Sequence, residues 1–352
     1  MVEAKSRRYR ELDALRGLGA CTVASSHFLL CFLSIPPQWH ESKLRAIEYW
    51  LGLVLFGGHS ALPLFFMLSG FVLALPACNG KAQSYSVFIT RRTFRLYLPY
   101  IVGLAIAVLG NKIWYGPLHM SSWVNLTWSR RVSWHLVLQH LLIFGQFNWA
   151  AFNTAFWTLV VSLRLSVIFP LLCFFVLRTR PVVSVLGIVS IVSFITWTQI
   201  HGVLNTYTET VHVMGFYIAG ILFARYRHEL LGWAAGLTAR KKSLYLFLSL
   251  SVYWYGTRAL ELFLKNVLKI GHSSWMEFDW LTAAASILLM MLSIEFEPLS
   301  RFLLSSFPQF MGKICYSVYL IHGTVLWILL YMVSGRVSPV FLYLITSRSF
   351  SA

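Results

Sequence analysis

Glu11-Leu-Asp13-Ala-Leu-Arg16-Gly17-Leu-Gly-Ala-Cys21-Thr-Val-Ala-Ser-Ser-His27 opens the first long apolar segment of this 352-residue chain. His27 follows Arg16 by 11 residues, a rise of about 16 Å along a helix. A bilayer's hydrocarbon core is about 30 Å thick, so with Arg16 at the inner surface the imidazole reaches mid-membrane depth. An ionisable group there is costly to hold and marks a functional site by default. The plainer alternative is a neutral histidine satisfied by a neighbouring helix.

Composition supports the membrane reading. Hydrophobic residues make up 58% of the chain and charged ones only 12%, with mean hydropathy +0.68. Soluble domains carry roughly 25% charged residues, so the chain reads as integral to a membrane. No long polar stretch remains for a separate soluble domain, which leaves one membrane domain over 1–352. The net charge of +17 is spread between apolar runs as topology signals, not gathered on one polar face, and argues against nucleic acid. Cys21, Cys31, Cys78, Cys173 and Cys315 show neither a disulfide framework nor zinc spacing, so no metal is expected. The basic lead from Lys5 to Arg10 precedes no usual cleavage site, which predicts a retained first span.

The expected fold class is all-α: a polytopic helix bundle of about ten transmembrane spans. They fall near 12–33, 49–75, 95–114, 154–177, 182–200, 209–224, 243–263, 280–294, 315–333 and 339–352. Segment 133–149 is helical in pattern but broken by His135, Gln139 and His140, and reads as interfacial or re-entrant. With the N-terminus cytoplasmic, inner segments hold 18 Lys+Arg and outer segments 8, which supports that orientation. A full crossing by 133–149 would invert every later loop and lose much of the bias.

Four further segments carry candidate chemistry. Ile89-Thr-Arg91-Arg92-Thr-Phe-Arg95-Leu-Tyr-Leu-Pro99 puts Arg91 and Arg95 four apart, on one face of a helix at the cytoplasmic end of span three. Guanidinium forks suit phosphate oxygens; a positive-inside anchor is the plainer reading. Leu62-Pro-Leu-Phe65-Phe66-Met-Leu-Ser69-Gly70-Phe71 has small residues that permit close helix approach. In Phe156-Trp157-Thr-Leu-Val-Val-Ser162-Leu-Arg164, Arg164 lies too deep for a topology anchor and calls for an acid or a ligand anion, or a path out of the bilayer. Gly312-Lys-Ile-Cys-Tyr316-Ser317-Val-Tyr319-Leu-Ile-His322 carries a second membrane histidine, for which packing is at least as good a reading as chemistry. His59 and His212 read as packing residues.

Taken together, these segments resemble the acyltransferase family 3 membrane proteins, which include polysaccharide O-acetyltransferases. The match runs in family order over nearly the whole chain: Leu12-Asp13-x-Leu15-Arg16-Gly17 with His27, Phe65-Phe66-x-x-Ser69-Gly70-Phe71, Arg91-Arg92-x-x-Arg95-Leu96-x-x-Pro99, Trp157-Thr158-Leu159, Gly215-Phe216-x-x-Ala219-Gly220 and Tyr316-Ser317-x-Tyr319-Leu320-x-His322. The resemblance implies transfer of an acyl group from acyl-CoA, usually acetyl-CoA, to a hydroxyl of a carbohydrate or other small acceptor. It places His27 at the family's essential histidine, Arg91 and Arg95 at its paired arginines and Arg16 at the arginine of its opening motif. Arg92 and Arg164 join these as candidate donor-binding residues, while Asp13, Ser69, Trp157, Ser162, Tyr316 and His322 are further candidates. Coenzyme A is a polyanion, so a cytoplasmic arginine cluster is a plausible dock, with His27 as general base toward the acceptor hydroxyl. Asp13 is too far down the same helix to orient His27, so an arginine is its expected partner.

Two departures stand out. Where family members often carry Glu, this chain has Ser162, which leaves Arg164 without an obvious local partner. Segment 339–352 offers 14 residues against the roughly 20 a span needs. Both suggest a truncated or diverged member. Two other functions fit the same residues: a transporter of an acyl or sugar compound using His27 and Arg164 as polar relays, and a weakened relative that binds without catalysis. The plasma membrane is the expected location. The endoplasmic reticulum is the alternative, where the outer-loop sequon Asn125-Leu-Thr127 would have meaning.

Overall fold

The computed structural model describes residues 8–33, 58–118, 123–256 and 275–333, with 260, 263 and 266 between the last two. Among the described residues the chain is helical and has no strand. The helices are α1 (Arg10–Leu33), α2 (Ala61–Cys78), α3 (Tyr85–Arg92), α4 (Leu98–Ile113), α5 (Trp134–Leu142), α6 (Phe156–Arg178), α7 (Pro181–Ile200), α8 (Thr206–Arg225), α9 (Arg227–Ala235), α10 (Ala239–Ser251), α11 (Trp275–Glu295), α12 (Glu297–Leu304) and α13 (Ser306–Val333).

Local chemistry sets several of these ends. Glu11 and Asp13 lie in the first turn of α1, where carboxylates favour the helix dipole. Pro181 opens α7 at a position where its missing N–H costs nothing. Asn205 and Thr208 form a reciprocal capping box at the start of α8.

Among the described residues five helices are long and apolar enough to cross a membrane: Ala61–Cys78, Tyr85–Ile113, Phe156–Arg178, Pro181–Ile200 and Ser306–Met332. α7 alone exposes Val182, Val183, Val185, Leu186, Val189, Phe194, Trp197 and Ile200, a surface suited to lipid and not to water. The sequence-based ten spans are matched only in part. Predicted spans 12–33, 209–224 and 280–294 are helices, though α1 and α8 carry charged or hydroxyl residues in their first turns. Predicted span 339–352, the first part of 49–75 and most of the end of 243–263 lie outside the described residues. The helix predicted at 95–114 starts ten residues earlier, at Tyr85, and runs through a π-helical turn at Thr93–Tyr97. α5 has nine residues, about 14 Å of rise, so 133–149 does not cross as one helix.

The chain divides into two compact units. The first comprises 1–21, 59–92 and 161–315; the second comprises 22–58, 93–160 and 316–352. In the first unit, α2 and α8 meet through glycines: a Cβ on Gly70 would strike the Tyr217 backbone, and one on Gly220 the Met67 carbonyl. The same holds for Gly17 against the backbone of Met311 and Gly312. The motif glycines at 17, 70 and 220 are therefore packing residues that let helices touch.

The second unit is organised around tryptophan. Trp128 and Trp327 are fully buried with Cys31, Val124, Leu326 and Leu330. Truncating such a side chain costs about 3–5 kcal/mol, so this cluster fixes the 123–156 connection. Trp128 takes a left-handed φ of 57°, an uncommon conformation for a bulky residue. Its indole Nε1 donates to Phe152 O at 3.1 Å, and its carbonyl accepts from Gly116 N at 3.0 Å and Tyr331 Oη at 3.1 Å. Asn125 of the sequon clamps Leu118 in both directions, accepting at 2.8 Å and donating at 2.9 Å; its amide serves the fold.

Candidate functional site

In the second unit α1 presents His27 to His322 of α13, with His27 Nδ1 3.0 Å from His322 Nε2. The ring centroids are 5.0 Å apart. Trp123 meets the His27 ring edge-on at 5.4 Å and packs tilted against Trp327, with ring centroids 5.3 Å apart. The turn of α13 that carries His322 is pegged by Asn153, which is 0% exposed. Its amide donates to Leu320 O at 3.1 Å and to Thr324 Oγ1 at 3.2 Å, and a Cβ on the neighbouring Gly323 would collide with it. Thr158 Oγ1 lies 2.9 Å from Tyr319 Oη, and Tyr316 Oη donates to Leu96 O at 2.7 Å. Trp157 packs near Trp149, with centroids 6.1 Å apart. No Asp or Glu occurs among the described residues of this unit. Sequence reasoning passed over Trp123 and Asn153 because neither stands in a patterned motif.

Arg95 belongs to the π-helical turn of this unit and is exposed. Arg91 lies in the last turn of α3 and Arg95 in the π-helical turn that follows it, and both side chains are exposed.

The first unit holds the remaining arginines. Arg8 bonds Asp13 at 2.9 Å through Nε, and Arg16 Nη1 lies 3.7 Å from the other carboxylate oxygen. Asp13 thus pairs with arginines, not with His27. Arg91 is exposed at the end of α3. Neither Arg91 nor Arg95 makes a side-chain hydrogen bond or ion pair among the described residues. Arg92 differs: its Nε donates to Ser166 Oγ at 3.0 Å, and Ser166 donates onward to Ser162 O at 2.6 Å. Ser69 bonds back to Phe65 O at 2.9 Å, a packing role beside Gly70.

Arg164 corrects an expectation. It is buried, donates to Thr206 O at 3.2 Å, lies 5.1 Å over the Tyr207 ring and interacts electrostatically with Glu209. α8 supplies the carboxylate that position 162 lacks.

The two histidines read as packing residues converge on an acid. Asp279 on α11 accepts from His59 Nε2 at 2.8 Å and His212 Nε2 at 3.1 Å; Asp279 is 2% and His212 3% exposed. An acid just ahead of a predicted span was the available signal. In α5, His140 is 0% exposed and neither ring nitrogen has a partner. It sits against Phe147 and Phe152 at 4.9 and 4.8 Å, and burial pushes its pKa down to about 4. Among the described residues no cluster of three or more His, Cys, Asp or Glu could hold a metal ion.

With five membrane-length apolar helices among its described residues, the protein belongs to the membrane proteins. More narrowly, the family model described as an acyltransferase domain, acyltransferase family 3, matches residues 9–347, and the chain belongs to that family. No curated protein and no solved structure matches it significantly.

Proposed function

We propose that this acyltransferase moves an acyl group, acetyl in the first instance, from acyl-CoA to a hydroxyl of a carbohydrate or other small acceptor. His27 takes the hydroxyl proton as the oxygen attacks the thioester carbonyl. The C–S bond breaks, and the departing thiolate recovers the proton from His27. Arg16, Arg91 and Arg95 bind the donor's phosphates through charge-assisted hydrogen bonds. Arg92 and Arg164, held by Ser166 and by Thr206 with Glu209, take structural roles instead. The observation that carries this reading is His27 itself, bonded to a second histidine in a unit whose described residues hold no carboxylate.

The topology that goes with this reading has about ten spans and a cytoplasmic N-terminus in the plasma membrane, supported by the 18 to 8 distribution of Lys+Arg. Labelled acetyl-CoA, purified protein and a panel of hydroxylated acceptors test the activity. Label should pass to an acceptor with wild type and not with His27→Ala; equal transfer by both removes His27 from the chemistry.

One observation favours a second reading. The exposed His59 and the buried Asp279 and His212 form a polar chain in the first unit, a feature of proton-coupled transport. Solute flux across sealed vesicles in the absence of acyl-CoA would establish it.

A further inference from the structure

We infer that His322 is a positioning residue that holds His27 as the Nδ1–H tautomer, leaving His27 Nε2 as the proton-accepting atom. The argument follows the protons. His322 Nδ1 lies 3.1 Å from Val318 O and 2.8 Å from Tyr319 O. Carbonyl oxygens only accept, so this nitrogen carries the hydrogen. In a neutral imidazole the other nitrogen is then an acceptor, which makes His322 Nε2 a lone pair aimed at His27 Nδ1, 3.0 Å away. His27 Nδ1 must donate, and Nε2 of His27 is left unprotonated.

The surroundings enforce this order. Asn153 bonds Leu320 O and Thr324 Oγ1 on either side of His322, and Gly323 gives it room, so the ring cannot shift along α13. No Asp or Glu among the unit's described residues competes for either imidazole. His322 thereby fills the orienting role that a carboxylate plays in a Ser-His-Asp triad, without placing a negative charge in the apolar core.

This deepens the acyl-transfer reading and takes its catalytic meaning from it. When His27 Nε2 takes the acceptor proton, the Nδ1–H of the resulting imidazolium becomes a stronger donor to His322 Nε2. The proton goes no further, because His322 Nδ1–H ends on backbone carbonyls. It returns from His27 Nε2 to the departing thiolate.

Solid-state nitrogen NMR on protein carrying ¹⁵N-histidine, assigned with His27→Gln and His322→Gln, reads the tautomer directly. The expected result is a protonated Nδ1 and an unprotonated Nε2 at His27 in wild type. A protonated Nε2 there overturns the inference whatever the activity. In His322→Leu, His27 should lose its preference for Nδ1–H, and kcat should fall on the order of 10²-fold with little change in KM for acyl-CoA. His322→Gln, whose amide oxygen can stand where Nε2 stood, should recover part of that kcat; equal loss in both variants contradicts an orienting role. Wild-type NMR needs no variant to be correctly folded for its result to count. Absence of acyl transfer with the expected tautomer present would discard the enzymatic reading and leave the tautomer assignment in place.

Discussion

In the first unit two histidines share one buried carboxylate; in the second, two histidines are hydrogen-bonded to each other. His59 and His212 each give an Nε2–H to Asp279, so the acid fixes both rings and satisfies its own two oxygens. Among the described residues His27 and His322 meet no acid, and their chain of hydrogen bonds runs from backbone carbonyls through His322 to His27, with no further partner described at His27 Nε2. The first arrangement closes on itself, while the second leaves an open end where a substrate proton can go. The difference follows from where the carboxylates are: among the described residues they all belong to the first unit.

The contrast is broken most severely at its acid. Asp279→Ala strands the buried His212 donor and unties the exposed His59, and should cost about 3–5 kcal/mol of stability, read as thermal unfolding in detergent. His27→Ala, which severs one neutral hydrogen bond, should cost about 1 kcal/mol. Equal losses would mean that the two clusters are held in the same way.

His140 adds a third setting, a buried ring packed against phenylalanines with no hydrogen-bond partner among the described residues. Its pKa in the folded protein is about 4 against an ordinary 6.5, so the unfolded chain binds the proton first. Above pH 6.5 the group is silent. As pH falls from 6.5 towards 4 the folded state should lose up to about 3 kcal/mol from this residue. His140→Phe should remove that portion of the acid sensitivity while keeping the aromatic packing; an unchanged pH profile of melting would show that the ring is solvated.

The arginines sharpen the same distinction between committed and available groups. Arg91→Ala or Arg95→Ala should each raise KM for acyl-CoA roughly tenfold, as expected for loss of a charged hydrogen bond, with kcat little changed. Arg92→Ala should act mainly on stability, because that guanidinium already serves Ser166. The smallest effect is expected of Ser162→Glu. With Glu209 already beside Arg164, its acyl-transfer rate should stay within about twofold of wild type. A large rise would revive the reading of a weakened relative.

Much of the fold was legible because apolar runs of membrane length and Arg16-to-His27 spacing are local signals. The π-helical turn at Thr93–Tyr97 was not, since inserting an i to i+5 turn leaves no mark on apolar periodicity. The pairing of His27 with His322 joins residues 295 apart in sequence, and no spacing rule reaches that far. Arg164 shows the same limit: its need for an acid was readable at its own position, but Glu209 on another helix was not. The asparagine of the sequon looked like a surface signal and is a clamp on Leu118, a contact seven residues away that no sequence motif announces.

The most direct test of the account is the rate of acetyl transfer from saturating labelled acetyl-CoA by wild type and His27→Gln, with both proteins shown to melt alike. The account predicts a fall on the order of 10²–10⁴-fold in kcat for the variant, with the donor bound as tightly as before. Matching rates would contradict it and return His27 to the packing residues.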